Sequence, residues 1–311
     1  MAEEQHSCVG QAVTEDTPLQ DVTCTRHPGH ASFIPITQMN ESYLAAPFNT
    51  REWVRYIVML GFSAVRITVH ANSDARMGLY SDIPDPPRWA GGTGMAVPVP
   101  TQPRPCTMAN CRVKGHHLMY ENILLVTTPH AVYSPQEAVN TLVEFNFHED
   151  DAPVKKAVGM KMIYRSLADN RVVIKCATHD PTIAPTLDNA KRLRRIIAKK
   201  LRRESQGTDS VLSLALLYPH GKPLHVSLGS YAAVWFVSGG DFAMDKTIAS
   251  PCYFKYTNPL CNGSDGAGVY IIDSQAKAIM TAPHVGFDSA GMGISGMGIY
   301  TRHCGDGDGR P

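Results

Sequence analysis

The sequence lacks the long apolar runs that would mark a membrane protein. No stretch approaches the roughly 20 apolar residues that a membrane-spanning helix requires, and the longest runs, residues 211–218 and 231–237, are far shorter. The first residues, MAEEQHSCVGQAVTEDTPL, are acidic and polar, with no apolar segment of signal-peptide length and no Arg-rich transit pattern. We therefore expect a soluble, intracellular protein.

Motifs that bind nucleotide phosphates are also missing. The chain contains no GxxxxGK[ST] segment and no GxGxxG between a strand and a helix. It shows no internal repeat. These absences exclude a P-loop, a dinucleotide-binding fingerprint and a repeat architecture, and the sequence predicts no cofactor.

Cysteines are present, but they do not form the closely spaced pattern of a disulfide framework. The eight are scattered over the whole chain, which favours reduced thiols. Cys106 and Cys111 precede two adjacent histidines, and thiolate and imidazole are ligands that zinc prefers. The spacing is not that of a zinc finger, so the sequence favours a thiol-containing loop without metal. If a metal is bound, the candidate ligands are Cys106, Cys111 and His116.

Short segments with alternating polarity dominate the chain. Residues 64–70, AVRITVH, alternate apolar and polar side chains, which is typical of a half-buried strand. Similar segments recur on both sides of residue 185, separated by Pro, Gly, Asn or Asp. Residues 83–105 contain seven prolines and predict a long irregular loop. The pattern predicts a mainly β fold, a jelly-roll-like sandwich or barrel with one prominent basic amphipathic helix.

The same pattern predicts how the chain is divided. Residues 1–30 are polar and acidic and predict a flexible arm. Residues 31–285 form a β-rich core that can be split into two halves near residue 185. Residues 286–311 are glycine-rich and predict a tail without periodicity.

One segment departs from the even charge of the chain. The formal net charge is +1, yet eight of the thirteen residues from 191 to 203 are Lys or Arg. Without them, 21 Lys and Arg stand against 28 Asp and Glu, a balance of −7. Ala190, Leu193, Ile197 and Leu201 recur at three- and four-residue spacing, which predicts one apolar helix face over residues 189–205.

This basic helix is the main functional signal in the sequence. Thr186 or Asp188 can cap its first turn. Eight cations without alternating acids favour a polyanion partner, most simply nucleic acid; nuclear import, an anionic membrane surface and a solvated helix face are the alternatives. The candidate nucleic-acid contacts are Lys191, Arg192, Arg194, Arg195, Lys199, Lys200, Arg202 and Arg203.

A second feature is the segment VRITVHANSDARMG, which begins at Val65. A strand followed by Asp74, Arg76 and Met77 resembles the signature region of the thirty-kilodalton superfamily of plant-virus movement proteins. The resemblance implies a soluble β-rich viral protein that binds single-stranded nucleic acid without sequence preference, with a core similar to viral jelly rolls. It also implies a location in the host cytoplasm or the virion.

Three functional hypotheses follow. The first is a non-enzymatic viral movement protein that binds single-stranded nucleic acid, RNA in particular, through the basic helix. The second is a capsid or capsid-associated jelly-roll subunit, which would form a homo-oligomer. The third is a metal-dependent enzyme with its site in the proline-rich loop or at Cys106 and His116.

Overall fold

The fold was examined in a computed structural model. It describes residues 24, 26–70, 73–77, 90–107, 111, 116–151, 153–205, 210–236, 249–296 and 298–301. As the sequence predicts, the protein is mainly β. The helices are α1 (Arg51–Gly61), α2 (Asp74–Met77), α3 (Pro135–Val139) and α4 (Ile183–Glu204). The strands are β1 (Phe33–Pro35), β2 (Ala64–Val69), β3 (Ala90–Pro98), β4 (Arg104–Pro105), β5 (Leu118–Thr127), β6 (Thr141–Phe145), β7 (Lys155–Ser166), β8 (Arg171–Thr178), β9 (Val211–Leu217), β10 (His225–Gly229), β11 (Tyr231–Phe236), β12 (Ala249–Tyr256), β13 (Gly268–Asp273), β14 (Ala278–Phe287), β15 (Gly293–Ser295) and β16 (Gly298–Thr301).

The first sheet closes into a barrel. Its antiparallel order is β3-β2-β6-β7-β8-β5-β4, and β3 also pairs with β5, so that all of its strands except β4 form a closed ring. Val65, Ile67 and Val69 of β2 point inward and are almost fully buried, as their alternation predicts. The turn at residues 167–170 joins β7 and β8 as a hairpin, with Ser166 opposite Arg171.

The second sheet combines the N-terminal strand with the chain after α4. Its order is β1-β10-β9-β13-β14-β15-β12-β11, with β16 paired to β12 and β14. Both faces are covered. Leu212, Leu214 and Leu216 on one face pack beneath the helices, and Leu217 and Ile271 belong to a separate core on the other.

Helices α1 and α4 lie together over the second sheet. Trp53 and Ile57 of α1 share a core with Ile197 and Leu201 of α4, which confirms the apolar face predicted for residues 189–205. Each such side chain contributes roughly 1.5–3 kcal/mol when fully buried. Leu187 near the start of α4 instead enters the barrel core, so one helix is anchored in both cores.

The helix starts earlier than the basic segment suggests. Its N-cap is Thr182, so neither Thr186 nor Asp188 caps it. Pro185 lies in the first turn, where its missing N–H has no helical partner to lose. A proline before a charged segment makes the start of a helix difficult to recognise in the sequence, because proline is also common in loops.

Part of the proline-rich segment is a strand and not a loop. Residues 90–98 form β3, while residues 78–89 lie outside the described residues. Glycine permits this strand to run close to its neighbours: a Cβ on Gly94 would lie 2.4 Å from Leu125 Cδ1 and 2.8 Å from Ile67 Cδ1. The glycines therefore serve strand packing and not loop flexibility.

The observed topology is not a jelly roll. A jelly roll packs strands from the whole chain into two facing sheets, whereas here residues 64–178 form one closed barrel and residues 211–301 most of a second sheet. The segment after residue 286, predicted as a glycine-rich tail, contributes β15 and β16. Most of the predicted N-terminal arm lies outside the described residues. Among the described helices, none has the length and apolar character needed to cross a membrane.

Candidate functional site

The basic helix presents its cations to solvent. Lys200 is paired with Glu52 of α1 and Glu204 of its own helix, and Arg192 donates to Asn189 Oδ1 at 2.9 Å. Arg194 is half-buried near Tyr56. The remaining predicted contacts are exposed: Lys191, Arg192, Arg195, Lys199, Lys200, Arg202 and Arg203.

The predicted metal candidates belong to a cluster whose composition differs from the prediction. Cys106, Cys111, His117 and His179 form what we call the first tetrad. Cys106 follows β4, His117 precedes β5, and the Cys106 N–H donates to the His117 carbonyl at 3.0 Å. His179 follows β8, which pairs with β5 through Tyr120 and Thr178. Strand pairing thus brings together ligands that are far apart in the sequence.

The ligand atoms of the first tetrad are at metal-binding separations. Cys111 Sγ lies 3.1 Å from His117 Nε2 and 3.6 Å from His179 Nε2, and His179 Nε2 lies 3.3 Å from Cys106 Sγ. All four atoms lie within 4.8 Å of one another. Ligands on a tetrahedral Zn²⁺ are about 3.3–3.8 Å apart, given metal–ligand bonds of about 2.0–2.3 Å. His117 and His179 take the place predicted for His116.

A second group of ionisable side chains lies where the two sheets meet. We call Arg76, His130, Glu137, Asp265 and His284 the inter-sheet cluster. Its centre is a buried ion pair: Arg76 is 3% exposed, Glu137 is 0% exposed, and Arg76 Nη2 lies 2.8 Å from Glu137 Oε2. Burial opposes ionisation of Glu137, but hydrogen bonds from Arg76, Ser73 and Tyr133 keep its pKa below the usual value.

His130 stands at the rim of this cluster. The Arg76 Nη1 atom donates to the His130 carbonyl oxygen at 2.7 Å, which fixes the backbone beneath the ring. The His130 side chain is exposed to solvent on one side, and the protein packs against its other side. Burial on that side and the Arg76 guanidinium both lower the pKa of His130. The ring is therefore neutral at pH 7 and able to accept a proton.

The turn that contains Asp265 lies next to Ala131, the residue that follows His130. The Thr93 N–H donates to the Asp265 carbonyl at 2.9 Å. A Cβ on Gly92 would lie 2.9 Å from that same oxygen and 3.0 Å from Ala131 Cβ, so the two segments are adjacent. Burial raises the pKa of Asp265 to about 7, and the positive charge of Arg76 opposes the rise.

His284 and Tyr256 form a neutral pair behind the other groups of the inter-sheet cluster. His284 is 2% exposed, and its Nδ1 atom is 2.6 Å from the Tyr256 hydroxyl oxygen. Burial, Arg26 and His130 lower the pKa of His284 to about 3. The hydroxyl of Ser264, next to Asp265, accepts the Cys261 N–H at 3.1 Å and so stabilises the turn. The arrangement offers a neutral base, His130, and a carboxyl group that titrates near neutrality, Asp265, on adjacent segments.

Replacing Asp265 by Asn should stabilise the protein at pH 8 and change little at pH 5. With its raised pKa, Asp265 keeps a proton in the native state that the unfolded chain loses between about pH 4 and pH 7, so stability falls as the pH rises through this window. If Asp265 were completely buried, the change in its pKa would correspond to a loss of about 4 kcal/mol in the free energy of unfolding. Because solvent reaches this half-buried side chain, we expect about 1–2 kcal/mol.

Urea unfolding of both proteins at pH 5 and pH 8 measures this difference. An equal gain or loss at the two pH values would contradict a proton held by Asp265. The wild-type protein at pH 5 serves as the internal control, since the carboxyl group is then protonated in the native state.

Sequence reasoning missed every member of the inter-sheet cluster except Arg76, which it assigned to another role. Asp265 lies in the glycine-rich turn NGSDGAG, and His130 lies just beyond the end of β5. Polar residues just beyond strand ends are frequent in functional sites. That signal alone does not say which strand ends meet, so it could not have selected these residues.

No family model and no curated protein matches the sequence. Solved structures do match. The Rv3671c protease from M. tuberculosis in its active form is 13% identical, with a TM-score of 0.41 over 78% of this chain and 78% of that chain. A serine endoprotease from Yersinia pestis is 10% identical, with a TM-score of 0.40 over 82% of this chain and 63% of that one. The HtrA-type protease AlgW with tripeptide is 14% identical, with a TM-score of 0.38 over 79% and 58%.

These matches correct the function predicted from the basic helix. The matched structures are named as proteases, and the observed topology is not a jelly roll; the resemblance to movement proteins and viral jelly rolls is wrong. The non-enzymatic function, the capsid and metal-dependent-enzyme alternatives and the nucleic-acid partner are wrong with it. The resemblance depended on three residues, and one of them, Arg76, has a structural role instead, because its guanidinium pairs with Glu137 inside the protein.

Proposed function

We propose that the protein is a hydrolase, that the inter-sheet cluster is its reacting centre, and that polypeptides are its substrates. The main observation in support is the position of His130, a solvent-reaching neutral imidazole beside ionisable groups from both sheets. Groups with shifted pKa values that converge between two structural units are typical of catalytic sites. Proteolysis is the activity for which the matched structures are named, and it makes polypeptides the first substrates to test.

In the proposed reaction, His130 and Asp265 each carry out one proton transfer. His130 accepts a proton from the attacking water while the water oxygen bonds to the amide carbon. Asp265, which titrates at about pH 7, donates its proton to the departing nitrogen as the carbon–nitrogen bond breaks. The products are a carboxylic acid and an amine. Proton exchange with solvent then returns His130 and Asp265 to their starting forms.

Replacing His130 by Ala should lower kcat/KM for the cleavage of fluorescein-labelled casein by about 100- to 10,000-fold, the usual contribution of a general base. The wild-type rate should rise with pH to a maximum, with the rising half below pH 6.5 because the base works when neutral and its pKa is lowered, and should fall above about pH 7 as Asp265 loses the proton that it donates. His148→Ala is a matched control, since burial also lowers the pKa of His148, which lies against Phe62 and outside the cluster.

Mass spectrometry of the casein digest identifies the cleaved bonds. An absence of peptide products with the wild-type protein would refute the proposal, as would full activity of His130→Ala. Thermal unfolding of each variant shows whether a loss of activity reflects a loss of fold.

We also propose that the first tetrad binds a structural Zn²⁺. Four protein ligands, two thiolates and two imidazoles, fill a tetrahedral coordination sphere and leave no position for a substrate. The metal would fasten the segment between β4 and β5 to the end of β8, all within the first sheet.

A further inference from the structure

Four more metal-ligating side chains meet at the second sheet, well separated in sequence from the first tetrad. Cys24 precedes the short helical turn Pro28–His30, His30 is the last residue of that turn, and β1 follows. His220 lies in the turn Pro219–Gly221 after β9, and Cys261 lies between β12 and β13. Cys24, His30, His220 and Cys261 form what we call the second tetrad, and their ligand atoms all lie within 4.8 Å of one another.

The side chains of the second tetrad are placed as ligands. Cys24 is 5% exposed and Cys261 is 4% exposed. The rings of His30 and His220 stack with centroids 5.0 Å apart, and the Nε2 atoms of both are buried without a hydrogen-bond partner. A buried polar atom left without a partner destabilises the folded state. Two such atoms facing two thiols would be satisfied together by one cation.

The surrounding backbone fixes these positions. The His27 N–H donates to Cys24 Sγ at 3.3 Å, and the His220 N–H donates to the Asn262 carbonyl at 2.7 Å. His30 and His220 both have φ of 52°, in the left-handed region. This backbone conformation is unfavourable in a residue other than glycine and persists where other interactions impose it.

We propose that the second tetrad binds one Zn²⁺ in a closed tetrahedral site with two sulfur and two nitrogen ligands. This donor set is typical of zinc in structural sites. Donation from the His27 N–H to the Cys24 sulfur is the outer-shell support that a thiolate ligand requires.

The second tetrad also connects to the inter-sheet cluster. Cys261 begins the turn that leads to Asp265, and within it the Ser264 N–H donates to the Cys261 carbonyl at 3.0 Å. The Thr93 hydroxyl donates to the Gly263 carbonyl at 2.7 Å. Zinc at this site would therefore join residues 24–30 to the two turns of the second sheet and position the segment that contains Asp265.

The zinc content of variants of each tetrad distinguishes metal binding at the two sites. By plasma mass spectrometry we expect two Zn²⁺ per chain in the wild-type protein. One should remain in the Cys24→Ala, Cys261→Ala double variant and one in Cys111→Ala. Cys176→Ala is the matched control and should retain two, because that buried thiol lies in the barrel core and in neither tetrad. His30→Cys keeps four ligands and should also retain two.

Cobalt titration of the metal-free wild-type protein and of the metal-free double variant is a second test of the site. Tetrahedral Co²⁺ absorption of the wild-type protein should increase up to two equivalents. A cobalt plateau that is unchanged in the Cys24→Ala, Cys261→Ala double variant, or a double variant that keeps as much Zn²⁺ as the wild type, would overturn the second site. Neither measurement uses catalysis, so the result is independent of the proposed hydrolase activity.

Discussion

Replacing Glu137 by Gln should lower the free energy of unfolding by about 3–5 kcal/mol, the cost of removing one partner of a buried ion pair. The Arg76 side chain would remain inside the protein without its counter-charge. Glu137 Oε1 accepts from the Ser73 N–H at 3.0 Å and the Ser73 hydroxyl at 2.9 Å, and Oε2 accepts from the Tyr133 N–H at 2.7 Å. An amide offers only one acceptor oxygen in place of two.

The pair also joins separate parts of the chain. Arg76 belongs to α2, Glu137 to α3, and the Arg76 guanidinium reaches the carbonyl of His130. Loss of the carboxylate should therefore move His130 and lower activity together with stability. We expect urea unfolding, followed by far-ultraviolet circular dichroism, to show the change.

The pH dependence gives a second measure of the Glu137 variant. Because hydrogen bonds lower the pKa of Glu137 in the folded protein, its contribution to stability is fully present above the unfolded value of about 4.3 and is lost as the pH falls through the folded value. The Gln variant should lack this acid-induced loss, so that its stability approaches that of the wild type at low pH.

Glu52→Gln is the matched control. It removes the partner of Lys200 in an exposed ion pair, where solvent screening makes the contribution small. Equal effects of the two substitutions at pH 7 would contradict the assignment of Glu137 to a buried ion pair that supports the site.

Removing Zn²⁺ from the first tetrad should also lower the free energy of unfolding by a large amount. A ligand present at a thousandfold excess over its Kd stabilises the folded state by about 4 kcal/mol. Cys111→Ala combined with His179→Ala should lower the zinc content by one per chain and remove stabilisation of this order. The lost metal would release residues 106–117 from the end of β8.

Differential scanning calorimetry with and without added Zn²⁺ measures this stabilisation. Tm should rise with zinc in the wild-type protein and in the Cys176→Ala control. In the double variant the remaining response should come from the second tetrad alone. An unchanged zinc content and an unchanged Tm in that variant would refute the first site.

Local patterns were sufficient for much of the secondary structure. The alternation of Val65, Ile67 and Val69 predicted β2 and its buried face. The apolar spacing in residues 189–205 predicted which side of α4 packs against the protein. These features follow from residues within one or two turns of each other, so no tertiary information is needed to recognise them.

The first tetrad shows where such reasoning ends. Cys106 and Cys111 were identifiable because zinc ligands commonly occur in closely spaced pairs. The sequence offers His116 as the third candidate ligand. In the structure, His117 is the residue whose carbonyl accepts the Cys106 N–H. His179 joins the group only because β8 pairs with β5. Register selects between adjacent histidines, and register is a property of paired strands.

The sequence by itself determined a mainly β chain with few helices, the apolar stripe that seats α4, and the concentration of positive charge along it. All three depend on composition and on short-range periodicity. Only the tertiary structure decided that the strands form a closed barrel and a second sheet, that Arg76 lies against Glu137, and that the segment of Asp265 lies next to that of Ala131. It also assembled two groups of thiols and imidazoles from distant segments. The reason is that backbone pairing between strands remote in sequence sets these contacts, and no local pattern records which strands will pair.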